Sequence, residues 1–320
     1  MRIAILYDDV ESRPDAPPDE RGVLEAVEAV ELALRDLGHA PVRVPVGAAL
    51  DEWLTRLLAA EVALVFNLCE GAGGSSANEA RVAAAIELMG VPMTGNPSET
   101  LALARRKDLV YALLAAAGEP VPAWLAFDPG EPPPAPGWFP AIVKPADEDA
   151  SVGISQRSVV RNDAEFAAAV AAARRSGGLV VQQFLDGREL NVGIVGDEVL
   201  PITEIDFAAL PEGAWPLVTY EAKWVPGSPE DLGTRPVCPA SLDEATRREA
   251  VRLARAAWRL VGGRGYGRVD LRADRHGRLH VLDVNPNPDL APSAGLARMA
   301  AAHGWDYVDL VARIVREALP

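Results

Sequence analysis

Lysine is scarce in this sequence. Lys and Arg together number 31, yet only Lys107, Lys144 and Lys223 are lysines. Lysine is a compact point charge on a slim stem and arginine is a wide planar fork, so a site that requires the first does not readily accept the second. Chance survival would account for a single lysine. If all three are kept for one function, they should converge on one site.

Other absences exclude whole classes of protein. The net charge is −15 and no basic stripe exists, so nucleic acid is not expected as a partner. No apolar run is long enough to cross a bilayer, and the opening MRIAILYDDV turns acidic too soon for a signal peptide. Cys69 and Cys238 lie in unrelated contexts and are expected to be buried thiols. We therefore expect a cytoplasmic protein with neither a membrane partner nor a disulfide framework.

Two familiar nucleotide-binding signatures are also missing. No G-x-G-x-x-G and no Walker A sequence occurs, so neither a dinucleotide fold nor a P-loop is supported. The chain is otherwise of ordinary globular composition, with 49% hydrophobic and 24% charged residues. Its 320 residues are enough for two or three domains, each with a core.

The first third of the chain alternates strands and helices. Strand patterns at 2–7, 40–46 and 61–68 are separated by amphipathic segments, the first of which ends at Gly38. This alternation predicts an open parallel sheet that binds ligands at the carboxyl ends of its strands. One such end carries NLCEGAGGSSANE. That segment either offers backbone N–H groups to an anion or is simply a connection.

A second unit starts near residue 97. A strand pattern at 142–145 carries Lys144, and a small-residue loop follows it at 147–155. A lysine on a strand beside a flexible Ser/Gly loop is typical of a clamp for a triphosphate. The Pro-rich DPGEPPPAPGW, just before this strand, is expected to be a surface connection.

A hairpin pattern near the end of the chain brings two acids together. If His276 and Gly277 form a two-residue loop, Asp270 lies opposite Asp283 and Arg268 lies opposite Asn285. All four polar groups then share one face, with directly opposed Cβ atoms about 5 Å apart. Two carboxylates held so close repel each other, and a divalent cation between them removes that penalty. Hard oxygen ligands of this kind suit Mg²⁺.

The hairpin has less specific interpretations as well. It could be an ordinary hairpin with a wet polar face, in which Leu282 and Val284 simply point to the opposite side. A register shifted by one or two residues would also separate the acids and weaken the metal hypothesis.

Taken in order, the motifs resemble those of a known family. They are K-D, V-K-P-A-x-x-x-x-S-V-G-I-S, Q-Q-F-L-D-G-R-E-L-N-V, Y-E-A-K, G-R-V-D-L and L-D-V-N-P-N-P. The set resembles the ATP-grasp superfamily, and most closely the D-alanine–D-alanine ligases and their relatives. The resemblance implies an α/β (α+β) ATP-grasp ligase of three domains. These are an open parallel-sheet domain on the substrate side (1–96), a central ATP-grasp subdomain (97–184) and a C-terminal subdomain holding the Mg²⁺ and substrate site (185–320).

The resemblance also implies functions for individual residues. Those expected to bind ATP are Lys107 and Lys144 at the phosphates, Gln182 at the adenine amino group, Phe184 and Leu185 around the adenine, Glu189 at the ribose, and Lys223 at the γ-phosphate. Two Mg²⁺ ions, replaceable by Mn²⁺, are expected on Asp270, Asp283 and Asn285. Arg268 is expected to stabilise the oxyanion.

The chemistry implied is amide formation. The γ-phosphoryl group of ATP passes to a carboxylate, and an amine then attacks the acylphosphate to give an amide, ADP and phosphate. Because the acylphosphate hydrolyses easily, loops at 147–153 and roughly 205–235 are expected to close over it. Ser151, in the first loop, is expected to hold that closure together.

Several positions depart from the family pattern around the amino-acid-like substrates. Glu20 either binds the ammonium group of the first substrate or is a solvated acid at a helix N-terminus. Trp224 stands where the family has Tyr, or Phe in depsipeptide-forming variants. Asp289 replaces a glycine, and Glu70 with Gly71 replaces a His-Gly pair.

These departures predict a substrate pair other than two D-alanines. The alternatives are a D-alanine–D-alanine ligase, an ATP-grasp kinase that stops at a phosphorylated product, and a nucleotide-binding protein without catalysis. The intact set of metal and phosphate residues argues against the last. The family tends to dimerise through its first domain, which makes a homodimer a further expectation.

Overall fold

A computed structural model describes residues 1–127, 134–146, 151–173 and 178–319. Much of the Pro-rich connection (128–133) and the start of the expected phosphate loop (147–150) lie outside these ranges. The architecture is α/β (α+β), as expected, with one parallel and two antiparallel sheets. No helix within the described ranges is long and apolar enough to span a membrane. The domain boundaries at 96/97 and 184/185 stay a prediction.

The first sheet is parallel, with strand order β2-β1-β3. Its strands are Arg2–Asp8 (β1), Ala40–Val46 (β2) and Leu64–Asn67 (β3), and its helices are Pro18–Arg21 (α1), Val23–Asp36 (α2), Leu50–Ala59 (α3) and Glu79–Leu88 (α4). Ile3, Ala4, Ile5 and Leu6 are all fully buried because helices cover both faces. The carboxyl ends of these strands therefore form one edge, as the alternation predicts.

The second sheet is antiparallel, with order β4-β7-β5-β6. Its strands are Trp124–Phe127 (β4), Ala141–Pro145 (β5), Val159–Val160 (β6) and Leu179–Gln183 (β7). The helices of this region are Ser98–Ala104 (α5), Lys107–Ala116 (α6) and Asp163–Ala173 (α7). One face of the sheet packs on Phe166 and Val170 of α7. The other face carries Lys144.

The third sheet has order β11-β10-β8-β12-β13, with β9 paired to β8. Its strands are Glu189–Val195 (β8), Glu198–Val199 (β9), Thr203–Asp206 (β10), Arg235–Val237 (β11), Tyr266–Ala273 (β12) and Leu279–Asn285 (β13). The helices are Tyr220–Trp224 (α8), Pro229–Gly233 (α9), Glu244–Leu260 (α10), Gly295–His303 (α11) and Tyr307–Glu317 (α12). Residues of α11 and α12, including Met299 and Ile314, join the core of the first sheet. The chain end thus packs against the chain start.

Asn96 ties the first part of the chain to the third sheet. Its Nδ2 donates to the backbone oxygens of Tyr266 (2.8 Å) and Pro286 (2.6 Å), and its Oδ1 accepts from the N–H of Arg264 (2.7 Å). The side chain is buried. One amide therefore holds the start of β12 beside the segment that follows β13.

Replacing Asn96 should cost substantial stability. Asn96→Ala leaves two backbone carbonyls and one N–H without their partner, so we expect the free energy of unfolding to fall by about 3 kcal/mol. Asn96→Asp keeps the shape but turns both donors into acceptors, and it should be at least as damaging. Urea unfolding curves measure both variants. An Asn96→Asp protein as stable as the wild type would contradict this assignment.

Asp8, at the carboxyl end of β1, is a buried acid. Its Oδ2 accepts from the N–H of Glu70 at 2.8 Å, and the thiol of Cys69 lies 3.8 Å from Oδ1. Burial is the main cause that raises the pKa of Asp8 from 3.8 to about 6. Because the folded-state pKa is raised, the folded protein binds this proton more tightly than the unfolded chain does. The stabilisation from that proton is complete below the unfolded pKa and is lost as the pH rises through about 6.

Asp8→Asn should remove this pH dependence. Relative to the variant, the wild type should lose about 3 kcal/mol of unfolding free energy as the pH rises from about 4 to about 7. Above that range the difference should be flat. Asp9→Asn, at the next and half-buried position, is the matched control. Parallel stability–pH curves for the wild type and Asp8→Asn would refute the prediction.

Candidate active site

The β12–β13 hairpin places its acids as the sequence predicts. Asp270 pairs with Asp283, and Arg268 pairs with Asn285. The two-residue loop behind that prediction is wrong, because pairing ends at Ala273 and Leu279 and leaves a five-residue connection, 274–278. In that connection Oδ1 of Asp274 accepts the N–H groups of two later residues and so forms the turn.

A β-bulge restores the register. Beyond the longer loop, Leu271 pairs with Val281, so Leu282 would fall opposite Asp270. A bulge between Asp270 and Leu271 makes Leu282 the extra residue and brings Asp283 into place. Of the two apolar residues beside the acids, Val284 is buried, whereas Leu282, at the bulge, is only half-buried.

Asp270 is surrounded by donors. Its Oδ1 accepts from Arg268 Nε (2.7 Å) and Asn191 Nδ2 (2.8 Å). Its Oδ2 accepts from Arg268 Nη2 (2.8 Å) and Asn285 Nδ2 (2.9 Å). Burial raises the pKa of Asp270, but the charge and hydrogen bonds of Arg268 outweigh it and bring the pKa below its ordinary value. The carboxylate is therefore held in its ionised form.

The three lysines surround the hairpin acids. Nζ of Lys107, which is buried, lies 3.5 Å from Oδ2 of Asp283. Burial, together with the charge of Lys107, lowers the pKa of Lys144 to about 8, while Asp283 opposes that shift. The charge of Lys223 lowers the pKa of Asp270. The structure thus brings together the three lysines that sequence composition singles out.

An apolar cluster lies next to Lys144. Phe184 packs edge-on against Trp215, with ring centroids 5.1 Å apart, and Ile142 and Val159 complete the cluster. Leu185, the next residue after Phe184, is also buried. The residues expected to frame an adenine therefore lie together.

Arg272 is a site residue that sequence reasoning missed. It is 2% exposed, forms an ion pair with Glu189, and donates to the backbone oxygen of Pro216. Its guanidinium also lies over the rings of Phe184 and Phe207, at 5.5 and 5.2 Å. Glu189, the expected ribose ligand, is thereby held beside the apolar cluster of Phe184. The signal was the alternation of Arg268, Asp270 and Arg272 along β12.

Gln182 is buried on the same side, but its amide already has a partner. Its Nε2 donates to the hydroxyl of Tyr111 at 3.0 Å. Tyr111 was also missed, because one aromatic residue in a helix is ordinarily a core residue.

Ser151 joins two loops. It has a left-handed backbone with φ of 62°, and its hydroxyl donates to the backbone oxygen of Val218 at 3.0 Å. Nearby, the N–H of Tyr220 donates to the backbone oxygen of Ile154 at 2.9 Å. The described part of the 147–153 loop is thus joined to the 205–235 segment, in the way expected for closure. Residues 147–150 lie outside the described residues.

The residues expected at the substrate lie around the edge of the first sheet. Glu70 and Asp289 both raise the pKa of the buried Tyr266, so both lie near it. Oδ1 of Asp289 accepts the N–H of Ala291 at 2.7 Å. Within the described residues, the carboxylate of Glu20 pairs with Arg13 and not with the hairpin.

Trp224 lies against the first domain. A Cβ atom added to Gly22 would be 3.1 Å from the Trp224 ring. Four residues before it, the hydroxyl of Tyr220 donates to Oδ1 of Asp19 at 2.7 Å. Helix α8, which carries Lys223, therefore contacts the start of the chain at two points.

Asp270, Asp283 and Asn285 suit a magnesium ion by their chemistry. Two opposed carboxylates and an amide oxygen are hard ligands, and Mg²⁺ is usually held by one or two carboxylates together with substrate phosphates. No cluster of three or more His, Cys, Asp or Glu side chains that could hold a metal occurs in the described part of the chain. All lone pairs of Asp270 face donors here, so a metal there requires a donor such as Arg268 to turn away.

Comparison with known proteins gives a consistent result. The family model described as "D-ala D-ala ligase C-terminus" matches residues 133–316. The D-alanine–D-alanine ligase of Gluconobacter oxydans (strain 621H) is 33% identical over 325 residues, covering 100% of this chain and 99% of that protein. The enzyme of the same name from Alcanivorax borkumensis (strain ATCC 700651 / DSM 11573 / NCIMB 13689 / SK2) is 32% identical, covering 94% of this chain and 90% of that protein.

Solved structures agree on the fold. The D-alanine–D-alanine ligase of Bacillus anthracis superposes with a TM-score of 0.81 at 19% identity, covering 99% of this chain and 97% of that one. The same enzyme complexed with ATP gives a TM-score of 0.79 at 18% identity, with the same coverage. The fold class expected from the motifs is confirmed. The chain belongs to the D-alanine–D-alanine ligase family of the ATP-grasp superfamily, and it is an ATP-dependent ligase that forms C–N bonds.

Proposed function

We propose that this protein joins two D-alanine molecules into a dipeptide, with conversion of ATP to ADP and phosphate. The observation that carries the proposal is the convergence of Lys107, Lys144, Lys223 and Arg268 on the opposed acids Asp270 and Asp283. So many fixed cations around two carboxylates suit a reaction whose transition state carries phosphate charge. The names of the similar proteins supply the substrate.

The expectation of a different substrate pair finds no support in these comparisons, which favour the alternative. It rested partly on Trp224, which lacks a phenol and takes more room than Tyr. Gly22 leaves space for the Trp224 ring, because it has no side chain there. Tyr220, on the same short helix, makes a phenol hydrogen bond to Asp19. The added bulk of Trp224 is therefore accommodated where α8 contacts the start of the chain, whereas the phenol of Tyr220 already belongs to the Y-E-A-K motif.

In the first step, the carboxylate of one D-alanine attacks the γ-phosphorus of ATP, the bond to the β-phosphate oxygen breaks, and ADP leaves to give the acylphosphate. Lys107 and Lys144 hold the phosphates from the second sheet and its helix, and Lys223 holds them from α8. When bound, Mg²⁺ on Asp270, Asp283 and Asn285 would neutralise phosphate charge. The requirement of the reaction for Mg²⁺ is therefore proposed together with its substrates.

In the second step, the amine of the other D-alanine attacks the acylphosphate. Arg268 stabilises the oxyanion of the tetrahedral intermediate, which collapses to the amide and phosphate. The contact of Ser151 with Val218 holds the two loops together and excludes water from the acylphosphate.

A cytoplasmic location is proposed together with the use of ATP, and the homodimer stays a prediction.

The proposal predicts phosphate release that requires D-alanine, ATP and Mg²⁺ together. The purified protein should be supplied with D- and L-amino acids singly and in pairs, and the products identified by mass spectrometry. D-alanine alone should give the dipeptide, because it serves as both donor and acceptor, and L-alanine should give none. A product from another pair would instead indicate a ligase with different substrates. A phosphorylated acid that accumulates with one compound would indicate a kinase.

Arg268→Lys tests the oxyanion role. Lysine keeps the charge but loses the planar fork that Asp270 and an oxyanion require, so kcat should fall roughly 100-fold while the KM for ATP changes little. Arg275→Lys is the matched control, since Arg275 lies exposed in the hairpin loop. Thermal unfolding should verify that both variants fold. If Arg268→Lys stays within about threefold of the wild-type kcat, Arg268 has no such role.

A further inference from the structure

The face of β7 that carries Gln182 is opposite to the face that packs on α7. Along this strand, Leu179 and Val181 belong to the core formed with α7, so the alternate residue Gln182 points to the other side. Gln182 pairs across β5 with Ile142, which belongs to the apolar cluster of Phe184. The amide of Gln182 therefore lies beside the apolar cluster of Ile142 and Phe184, where the family resemblance places the adenine of ATP.

Tyr111 determines which end of the Gln182 amide faces it. The hydroxyl of Tyr111 donates to the backbone oxygen of Leu282 at 2.6 Å. A carbonyl oxygen only accepts, so it takes the single phenol proton, and the phenol oxygen offers a lone pair to Gln182. The group at 3.0 Å from that oxygen must then be the NH₂ of Gln182. The amide nitrogen is thus directed at Tyr111 and Oε1 is directed away from it.

The geometry of the hairpin supplies the acceptor. Leu282 is the extra residue of the β13 bulge, and the extra residue of a bulge is left out of the ladder of paired backbone groups. Its carbonyl is therefore available to a side chain from another element. Tyr111 is 1% exposed and packs on Trp124, with ring centroids 5.9 Å apart, so its hydroxyl is held in position.

We propose that Tyr111 is a positioning residue that determines nucleobase specificity through Gln182. By holding the amide nitrogen, it leaves Oε1 as the group that meets the base. A carbonyl oxygen accepts from the 6-amino group of adenine and repels the 6-oxo group of hypoxanthine or guanine. A freely rotating glutamine would accept either kind of base, because its two ends have opposite hydrogen-bonding character. This inference rests on the proposed function, since it requires the adenine of ATP to lie beside Gln182 and Phe184.

The test measures the affinities of ATP and ITP by isothermal titration calorimetry in the presence of Mg²⁺. ITP differs from ATP in the 6-position group and the N1 proton that accompanies it, and it lacks the 2-amino group of GTP. The wild type should bind ATP roughly 100-fold more tightly than ITP, as expected when a buried polar group is left facing the wrong partner. In Tyr111→Phe the Gln182 amide can rotate and exchange the positions of its oxygen and nitrogen. The ratio of ATP affinity to ITP affinity should therefore fall roughly tenfold, mainly through tighter binding of ITP.

Tyr307→Phe is the matched control. The hydroxyl of Tyr307 donates to the backbone oxygen of Leu290 at 2.8 Å, the same kind of bond in another part of the fold. Tyr307→Phe should keep the wild-type ratio of ATP to ITP affinity. A general loss of packing or stability would lower both affinities together and leave the ratio unchanged.

A second variant separates positioning from direct contact. Gln182→Leu should lose the discrimination, and adding Tyr111→Phe to it should change the ratio no further, because Tyr111 acts only through the amide. If Tyr111→Phe does not fold, Gln182→Leu still tests whether the amide discriminates. Equal binding of ATP and ITP to the wild type, or an unchanged ratio in folded Tyr111→Phe, would overturn this inference alone. Absence of binding of either nucleotide to the wild type would overturn the proposed function as well.

Discussion

The site depends on two carboxylates that lie directly opposite each other across an antiparallel strand pair. Asp270 and Asp283 would repel at this distance, and each is compensated by its own cation, Arg268 for the first and Lys107 for the second. Such an arrangement is stable only if positive charge stays in place, from the protein or from a metal. The three lysines of this lysine-poor chain add to that positive charge, because all three lie around these acids.

The β-bulge at Leu282 connects this constraint to the rest of the fold. Without it, Asp270 would face an apolar residue and the acids would lie on different faces. The bulge is held from outside the hairpin, because Tyr111 binds the Leu282 carbonyl and the N–H of Val281 donates to the backbone oxygen of Pro120. The same irregularity thus aligns the acids of one sheet and orients Gln182 on the other. Under the proposed function, the residues assigned to the phosphates and the residue assigned to the base therefore depend on one structural feature.

The sequence predicts the site better than it predicts the backbone that builds it. The opposed acids, the convergence of the lysines and the parallel first sheet follow from alternation and composition. The hairpin loop and the bulge do not, and the predicted pairing of the acids was right only because the bulge cancels the one-residue shift in register that the longer loop introduces. The sequence also does not reveal the contacts of Arg272 and Tyr111. Their partners, Glu189 and Leu282, are 83 and 171 residues away, and no local pattern contains such contacts.

Departures from a family motif at single positions are weak indicators of substrate for a related reason. Trp224 removes a phenol and adds bulk, and either change would disturb a contact if nothing else varied. The contact lies between two segments about 200 residues apart, and Gly22 in the other segment leaves room for the larger ring. Because α1 and α8 meet only in the folded protein, the compensation is invisible in either motif alone. The contact as a whole, and not the residue that fills one position, therefore positions α8 and with it Lys223, whose charge acts on Asp270.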